Sequence, residues 1–304
     1  MNLVFMGTPA FAVPSLEKLV EAGHRVLAVF TQPDRPKGRG QKEAMPPVKE
    51  AALRLGLPVF QPERVRVPEV VEQLVAMKPD AMIVVGYGQL IPQAILDIPP
   101  AGIINVHASL LPKYRGAAPI QWAIARGETR TGVTTMKINA GLDTGDMLLK
   151  WETAIGQDET SVELGARLAA AGAVLLIDTL ARLDTIVPEA QDHSQASWAP
   201  VIKKEDGRID WSLSAATIID RMRGFTPWPG CYGFLRGQRM HVWKAKPSDR
   251  TLTPGEVRSD GKRLFAGCGQ GSLELLEVQL EGRKRMETSA FLNGVSLEAG
   301  EVLQ

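Results

Sequence analysis

Asn105, His107 and Asp143 are the residues whose types and spacing could do chemistry in this 304-residue chain. Asn105 and His107 stand two apart in Ile103-Ile-Asn-Val-His-Ala-Ser109, so in an extended segment they share one face while Ile104 and Val106 take the other. A neutral imidazole can take a proton from an attacking amine near neutral pH. An amide N–H beside it can donate to a developing oxyanion, which is worth ~3 kcal/mol in comparable sites. Asp143 lies in Gly141-Leu-Asp-Thr-Gly145, where an ionised carboxylate opposite the ring would orient it and favour its protonated form. Singly, each has a plainer reading: a strand histidine is commonly structural, and a turn aspartate commonly caps its own backbone. Beside the turns Ser109-Leu-Leu-Pro-Lys-Tyr-Arg-Gly116 and Gly141–Gly145, the three together can attack a carbonyl, stabilise the oxyanion and move a proton.

Strands must carry these groups, and the apolar pattern supplies them. Leu3-Val-Phe-Met6 reads as a first buried strand, turned by Gly7-Thr-Pro-Ala10 into a helix with Thr8 as N-cap, Pro9 in its first turn and Gly23 at its end. Strands at 26–30, 58–60 and 81–85 alternate with helices at 46–55 and 67–77. That alternation implies βαβ units, hence a Rossmann-like, mostly parallel α/β sheet covered on both faces. Ligands then gather beyond the strand C-termini where the winding reverses, which would bring Gly86-Tyr-Gly-Gln-Leu-Ile-Pro92, 105–116 and 141–145 to one crevice. A helix over 119–126, a strand over 133–138 and a helix opened by a Thr160/Glu163 capping box and running to 183 complete this part. Gly7-Thr-Pro-Ala-Phe11 sits where a dinucleotide fingerprint would but lacks G-x-G-x-x-G, which argues against an NAD enzyme.

Periodicity fades over 184–207, which reads as a linker; a helix at 215–223 and five short glycine-punctuated strands after 231 suggest a small OB-like β-barrel. The expected division is 1–189 as the catalytic domain, 190–207 as linker and 208–304 as the barrel, in line with the length. No apolar run approaches the ~18 residues of a membrane span, and the N-terminus reads as a strand rather than a signal core. Two cysteines, Cys231 and Cys268, are too few for a disulfide framework or zinc cluster, so a reducing cytoplasmic setting and no metal are expected. Net charge is +1, but residues from 203 onward hold 16 Lys+Arg against 13 Asp+Glu. Arg35, Lys37, Arg39 and Lys42 crowd one polar loop suited to a phosphate backbone, against the plain reading of a solvated surface loop. Arg221, Arg223, Arg236, Arg239, Lys244 and Lys246 either share an RNA-tracking face of the barrel or belong to a balanced surface.

Phe5-Met-Gly-Thr-Pro-Ala-Phe11, Asn105-Val-His107, Ser109-Leu-Leu-Pro-Lys-Tyr-Arg-Gly-Ala-Ala-Pro119 and Gly141-Leu-Asp-Thr-Gly-Asp146 resemble the 10-formyltetrahydrofolate-dependent formyltransferases. Lys204-Glu-Asp-Gly-Arg-Ile-Asp-Trp211, Pro227-Trp-Pro-Gly230, Glu281-Gly-Arg-Lys-Arg-Met286 and Phe291-Leu-Asn-Gly294 extend the resemblance across essentially the whole chain. It implies formyl transfer from the folate to the α-amine of methionyl initiator tRNA, with Asn105, His107 and Asp143 catalytic. It implies folate contacts from Ser109, Leu110, Leu111 and Pro112, and pterin-pocket walls from Gly86, Tyr87, Gly88 and Gln89 and from Ala140, Gly141 and Leu142. It assigns Arg35, Lys37, Arg39 and Lys42 to the tRNA acceptor stem, and no membrane or obligate protein partner is implied. The alternatives are a folate-dependent formyltransferase acting on another amine, or a non-enzymatic RNA-binding protein, which would leave the Asn–His–Asp set unexplained.

Overall fold

The computed structural model describes residues 1–37, 42–298 and 300–304, leaving aside the side chains of Lys37 and Lys42. They form two compact units: Met1–Pro119 with Arg130–Ala154 and Gly165–Pro200, and Ile120–Thr129 with Ile155–Leu164 and Val201–Gln304.

The first unit contains β1 (Asn2–Gly7), β2 (Arg25–Phe30), β3 (Arg35–Lys37), β4 (Lys42–Ala44), β5 (Val59–Phe60), β6 (Ala81–Val85), β7 (Ile103–His107), β8 (Arg115–Gly116), β9 (Arg130–Lys137), β10 (Met147–Ala154) and β11 (Trp198–Ala199). Its helices are α1 (Val13–Glu21), α2 (Pro47–Arg54), α3 (Pro68–Met77) and α4 (Gln93–Leu96); α5 (Pro119–Ala125) leads the chain out and α6 (Ser161–Ala181) leads it back. Seven strands make one sheet in the order β10-β9-β7-β6-β1-β2-β5. The run from β5 to β7 is parallel, whereas β9 and β10 add on antiparallel. Winding proceeds from β1 to β2 and β5 on one side, then to β6 and β7 on the other, so the reversal falls between β1 and β6.

Unbroken apolar runs make the central strands because both their faces are covered: Leu3, Val4, Phe5 and Met6 are all fully buried. One face packs Met6, Met82, Val84 and Ile103 with Val70, Leu74 and Ile95 from α3 and α4. Asn105 and His107 continue the face of Ile103, while Val106 turns to α6. There Gly172 has no side chain because a Cβ would lie 2.9 Å from a Val106 methyl and 3.3 Å from Val133. By length and composition α6 could cross a membrane (mean hydropathy 1.6), but it is a core helix: besides Gly172, its Thr179 hydroxyl shares a 2.8 Å hydrogen bond with Thr135. Its start is the capping box that the spacing predicts, with Thr160 N–H donating to Glu163 at 2.8 Å and Glu163 N–H to Thr160 Oγ1 at 3.5 Å.

At α1 the structure corrects the sequence reading. A 3-10 turn over Ala10–Ala12 precedes the helix and Ala12 stands at its N-cap; Thr8 instead donates its hydroxyl to the Tyr87 carbonyl at 3.0 Å. Gly23 does end the helix in the left-handed region (φ 78°), where His24 N–H reaches the Leu19 carbonyl. Further pieces lay outside the pattern, among them the edge strand β10, the β3–β4 ribbon within the basic loop, and the pairing of β8, in the turn after β7, with β11, in the expected linker.

The second unit contains α7 (Ala215–Gly224), β12 (Cys231–Leu235), β13 (Gln238–Ser248), β14 (Val257–Asp260), β15 (Arg263–Gly267), β16 (Ser272–Leu280), β17 (Met286–Glu287) and α8 (Thr288–Leu292). The strands form an antiparallel sheet, β12-β13-β16-β15-β14, with β17 on β16, around buried Met240, Val242, Leu264, Leu273 and Val278. Among the described residues this strand path does not close, but the segment 301–304 bonds to both edges. Phe234 and Gln304 exchange two backbone hydrogen bonds (2.9 and 3.0 Å), while Leu303 N–H reaches the Gly255 carbonyl and Val257 N–H that of Glu301, both at 2.8 Å.

Candidate active site

Asn105 and His107 leave the C-terminal half of β7, beside the winding reversal, and each is under a tenth exposed. The His107 ring is fixed by one bond: Nε2 lies 2.9 Å from the Tyr114 carbonyl oxygen. A carbonyl only accepts, so Nε2 carries the proton and Nδ1 is the basic nitrogen of the neutral ring. Asp143 Oδ2 stands 3.8 Å from that Nδ1, too far for a hydrogen bond but close enough to stabilise charge once the ring is protonated. The same carboxylate oxygen accepts from Gly116 N–H at 2.9 Å. The Asn105 carboxamide makes no side-chain hydrogen bond among the described residues and is free to donate.

The turn after β7 is held from below. Thr134, opposite His107 on β9, donates its hydroxyl to the Ser109 carbonyl (2.7 Å) and accepts from Leu111 N–H (3.2 Å). Ser109 is fully buried with its hydroxyl on the Lys113 carbonyl at 2.6 Å, and Leu111 packs with Met136 and Met147. Both side chains are therefore internal, and Leu110 and Pro112 are the more exposed members of the turn. On the β6 side, Gly86 and Gly88 are exposed, but the Tyr87 ring is buried in the core, where burial pushes its hydroxyl up to about 12. Gln89 is likewise occupied, accepting from Val65 N–H at 2.7 Å. The side chains of Tyr87 and Gln89 thus serve the fold, and the Tyr87 carbonyl accepts from Thr8 and from Gln32 at 3.0 and 3.1 Å. In the third turn Ala140, Gly141 and Leu142 are open, Leu142 being 48% exposed.

Of the basic loop, Arg35 is described and exposed; Arg39 and the side chains of Lys37 and Lys42 lie outside the described residues. The root of the ribbon is tied down: Lys49 and Gln61 both donate to Asp34, at 2.5 and 2.7 Å, and these bonds hold its carboxyl below the usual range. In the second unit Arg221 donates to the Asp206 carbonyl, Arg223 pairs with Asp220, Arg236 with Glu301 and Lys246 with Glu274. These four are engaged locally, which favours the balanced-surface reading for them. Sequence reasoning missed Gln191, which lies in the expected linker yet is buried against the Asp143 turn. Nothing in its sequence neighbourhood marks it. Among the described residues no cluster of His, Cys, Asp and Glu is arranged to hold a metal.

Fold and site define an enzyme of the formyltransferase class: the family described as formyl transferase matches residues 1–180, and formyl transferase, C-terminal domain, matches 201–296. The methionyl-tRNA formyltransferase of Solibacter usitatus (strain Ellin6076) is 61% identical over 307 residues, spanning 100% of this chain and 98% of that one. That of Koribacter versatilis (strain Ellin345) is 59% identical, spanning 97% and 96%. The crystal structure of an N-formyltransferase from Helicobacter canadensis, in complex with folinic acid and dTDP-3-aminofucose, matches with TM-score 0.66 at 17% identity, covering 93% of this chain and 99% of that one, and shows the shared fold. The chain belongs to the methionyl-tRNA formyltransferase family.

Proposed function

We propose that this protein transfers the formyl group of 10-formyltetrahydrofolate to the α-amine of methionyl initiator tRNA, giving N-formylmethionyl-tRNA for translation initiation in the cytoplasm. One observation carries the reading: 61% identity to a methionyl-tRNA formyltransferase along the whole of both chains. The site geometry supports the chemistry. Gly86 and Gly88 expose bare backbone and Leu142 an apolar side chain, features suited to a flat ring system with polar edges. Those residues, with Ala140, Gly141 and the 109–112 turn, would hold the folate, which when bound supplies the activated formyl carbon. Asn105 donates to the oxygen on which negative charge develops. His107 takes the proton of the attacking amine at Nδ1, since Nε2 is committed to Tyr114. Asp143 then stabilises the imidazolium across 3.8 Å, and the proton passes on to the folate nitrogen that leaves as its bond to the formyl carbon breaks. Arg35, Lys37, Arg39 and Lys42 meet the phosphates of the acceptor end.

The test is transfer of radiolabelled formyl onto charged initiator tRNA, run beside charged elongator tRNA, a sugar amine and water. Label is expected on initiator Met-tRNA above all others; label passing to the sugar amine or to water with none on the tRNA would overturn the assignment.

A further inference from the structure

Asp143 stands in an uncommon backbone conformation. Its φ of 52° lies in the left-handed region, which aspartate enters more readily than most residues but which is still a minor state, and its surroundings hold it there. The surroundings form a closed circuit. Gly116 N–H donates to the Asp143 carboxylate at 2.9 Å. The preceding residue, Arg115, is 3% exposed and donates through Nε (3.0 Å) and Nη2 (2.7 Å) to Oε1 of Gln191, itself 6% exposed. Gln191 Nε2 returns to the starting residue, donating to the Asp143 carbonyl at 2.9 Å and to the Gly145 carbonyl at 2.7 Å. Both ends of Asp143, carboxylate and main chain, are thereby tied to the same two-residue strand. That strand is pinned in turn: Arg115 N–H reaches the Ser197 carbonyl at 2.8 Å, and a Cβ on Gly116 would meet the Ala199 carbonyl at 2.6 Å.

We propose that Gln191, braced by Arg115, is a positioning residue for formyl transfer: it fixes the Asp143 turn so that the carboxylate faces His107 Nδ1. The inference rests on the formyl-transfer reading only for its kinetic consequence; the positioning itself is a statement about Asp143 and Gly116. Glutamine suits the task because one planar amide presents an acceptor to the guanidinium and two donors to the turn, all of which are used. Glutamate would keep the first and lose the second.

The experiment compares Gln191→Ala and Gln191→Glu in the full-length protein. Glutamate retains the bond to Arg115, so a role limited to satisfying that buried cation predicts near-normal behaviour. Positioning of the turn predicts that both variants lose kcat by on the order of a hundredfold, with KM for either substrate little changed. In an Asp143→Asn background the same Gln191 changes should cost no more than about twofold further, because the group they position has already been disarmed. A readout independent of activity is hydrogen exchange at the Gly116 amide, which should speed up at least about tenfold in both variants while the β1 and β6 amides keep their protection. If Gln191→Ala does not fold, Gln191→Glu alone decides. Normal kcat and normal Gly116 exchange in Gln191→Glu would overturn the proposal, as would an undiminished loss in the Asp143→Asn background. Failure of the unmodified protein to formylate Met-tRNA would instead end the activity reading, leaving the Gly116 exchange to judge the brace.

Discussion

At His107 only one ring nitrogen is left for chemistry, since the Tyr114 carbonyl consumes the other. The neighbouring Asn105 keeps its carboxamide unengaged among the described residues although it is nearly buried. Its polar atoms still reach solvent, so the unengaged amide costs the fold little and is open to a ligand. Replacing His107 by Ala should lower turnover by about 10²–10⁴-fold, the range for a lost general base. Asn105→Ala should lower it by about 10²–10³-fold, the range for a lost oxyanion donor. Steady-state formylation of charged initiator tRNA, with thermal unfolding as a check on folding, measures both. A turnover close to that of the unaltered protein in either variant would remove that residue from the mechanism.

Two elements bear on the contacts proposed for this enzyme. Helix α6 backs the strand that bears Asn105 and His107, and its approach depends on the missing side chain at 172. A Gly172→Val change would drive methyl groups into Val106 and Val133, and overpacking of this kind costs about 1–3 kcal/mol. A lowered denaturant midpoint at unchanged slope would register it. An undiminished midpoint would mean that β7 and β9 yield more readily than a packed core should. The role proposed for the basic loop is one of charge. Changing Arg35, Lys37, Arg39 and Lys42 together to Gln should weaken tRNA binding and flatten its dependence on salt, because fewer counterions are released. Folate affinity should not change. An unaltered salt slope in filter binding would take the ribbon out of the RNA contact.

For the whole molecule the titrating histidines outside the site set a pH limit. His241 packs against Trp243 (ring centroids 5.3 Å apart) and Tyr232 (5.5 Å) on the outer side of β13. Burial first, then the charges of Arg239 and Lys204 against a weaker opposing pull from Glu281, lower its pKa from 6.5; burial and the N-terminal amine lower that of His24 likewise. A base with a depressed folded-state pKa leaves the unfolded chain binding more protons between the two values. Stability is therefore full above about pH 6.5 and falls as the pH drops through that value towards the lowered one. Thermal midpoints over about pH 5 to 8 should show this slope, and His241→Gln should flatten it in part, His24 retaining its share. A slope identical in both proteins would place the acid sensitivity elsewhere.

The alternation of strands and helices, the type of fold and the candidate site residues could be read in the chain alone, because they rest on local signals. Four apolar residues in a row at 3–6 make a strand covered on both sides; Thr160 and Glu163 three apart cap a helix; Asn105 and His107 two apart share a face. What was not legible depends on groups far apart in sequence. Thr8 looked like a cap but bonds Tyr87, 79 residues on; Tyr87 and Gln89 looked like pocket walls but spend their side chains on the core and on Val65. Gln191 looked like linker, yet it reaches Arg115 and Asp143, 76 and 48 positions away. Local propensity and periodicity report which face of an element is apolar. Which polar atom answers which is settled only when the packed sheet brings their backbones within 3 Å or so, the reach of a hydrogen bond.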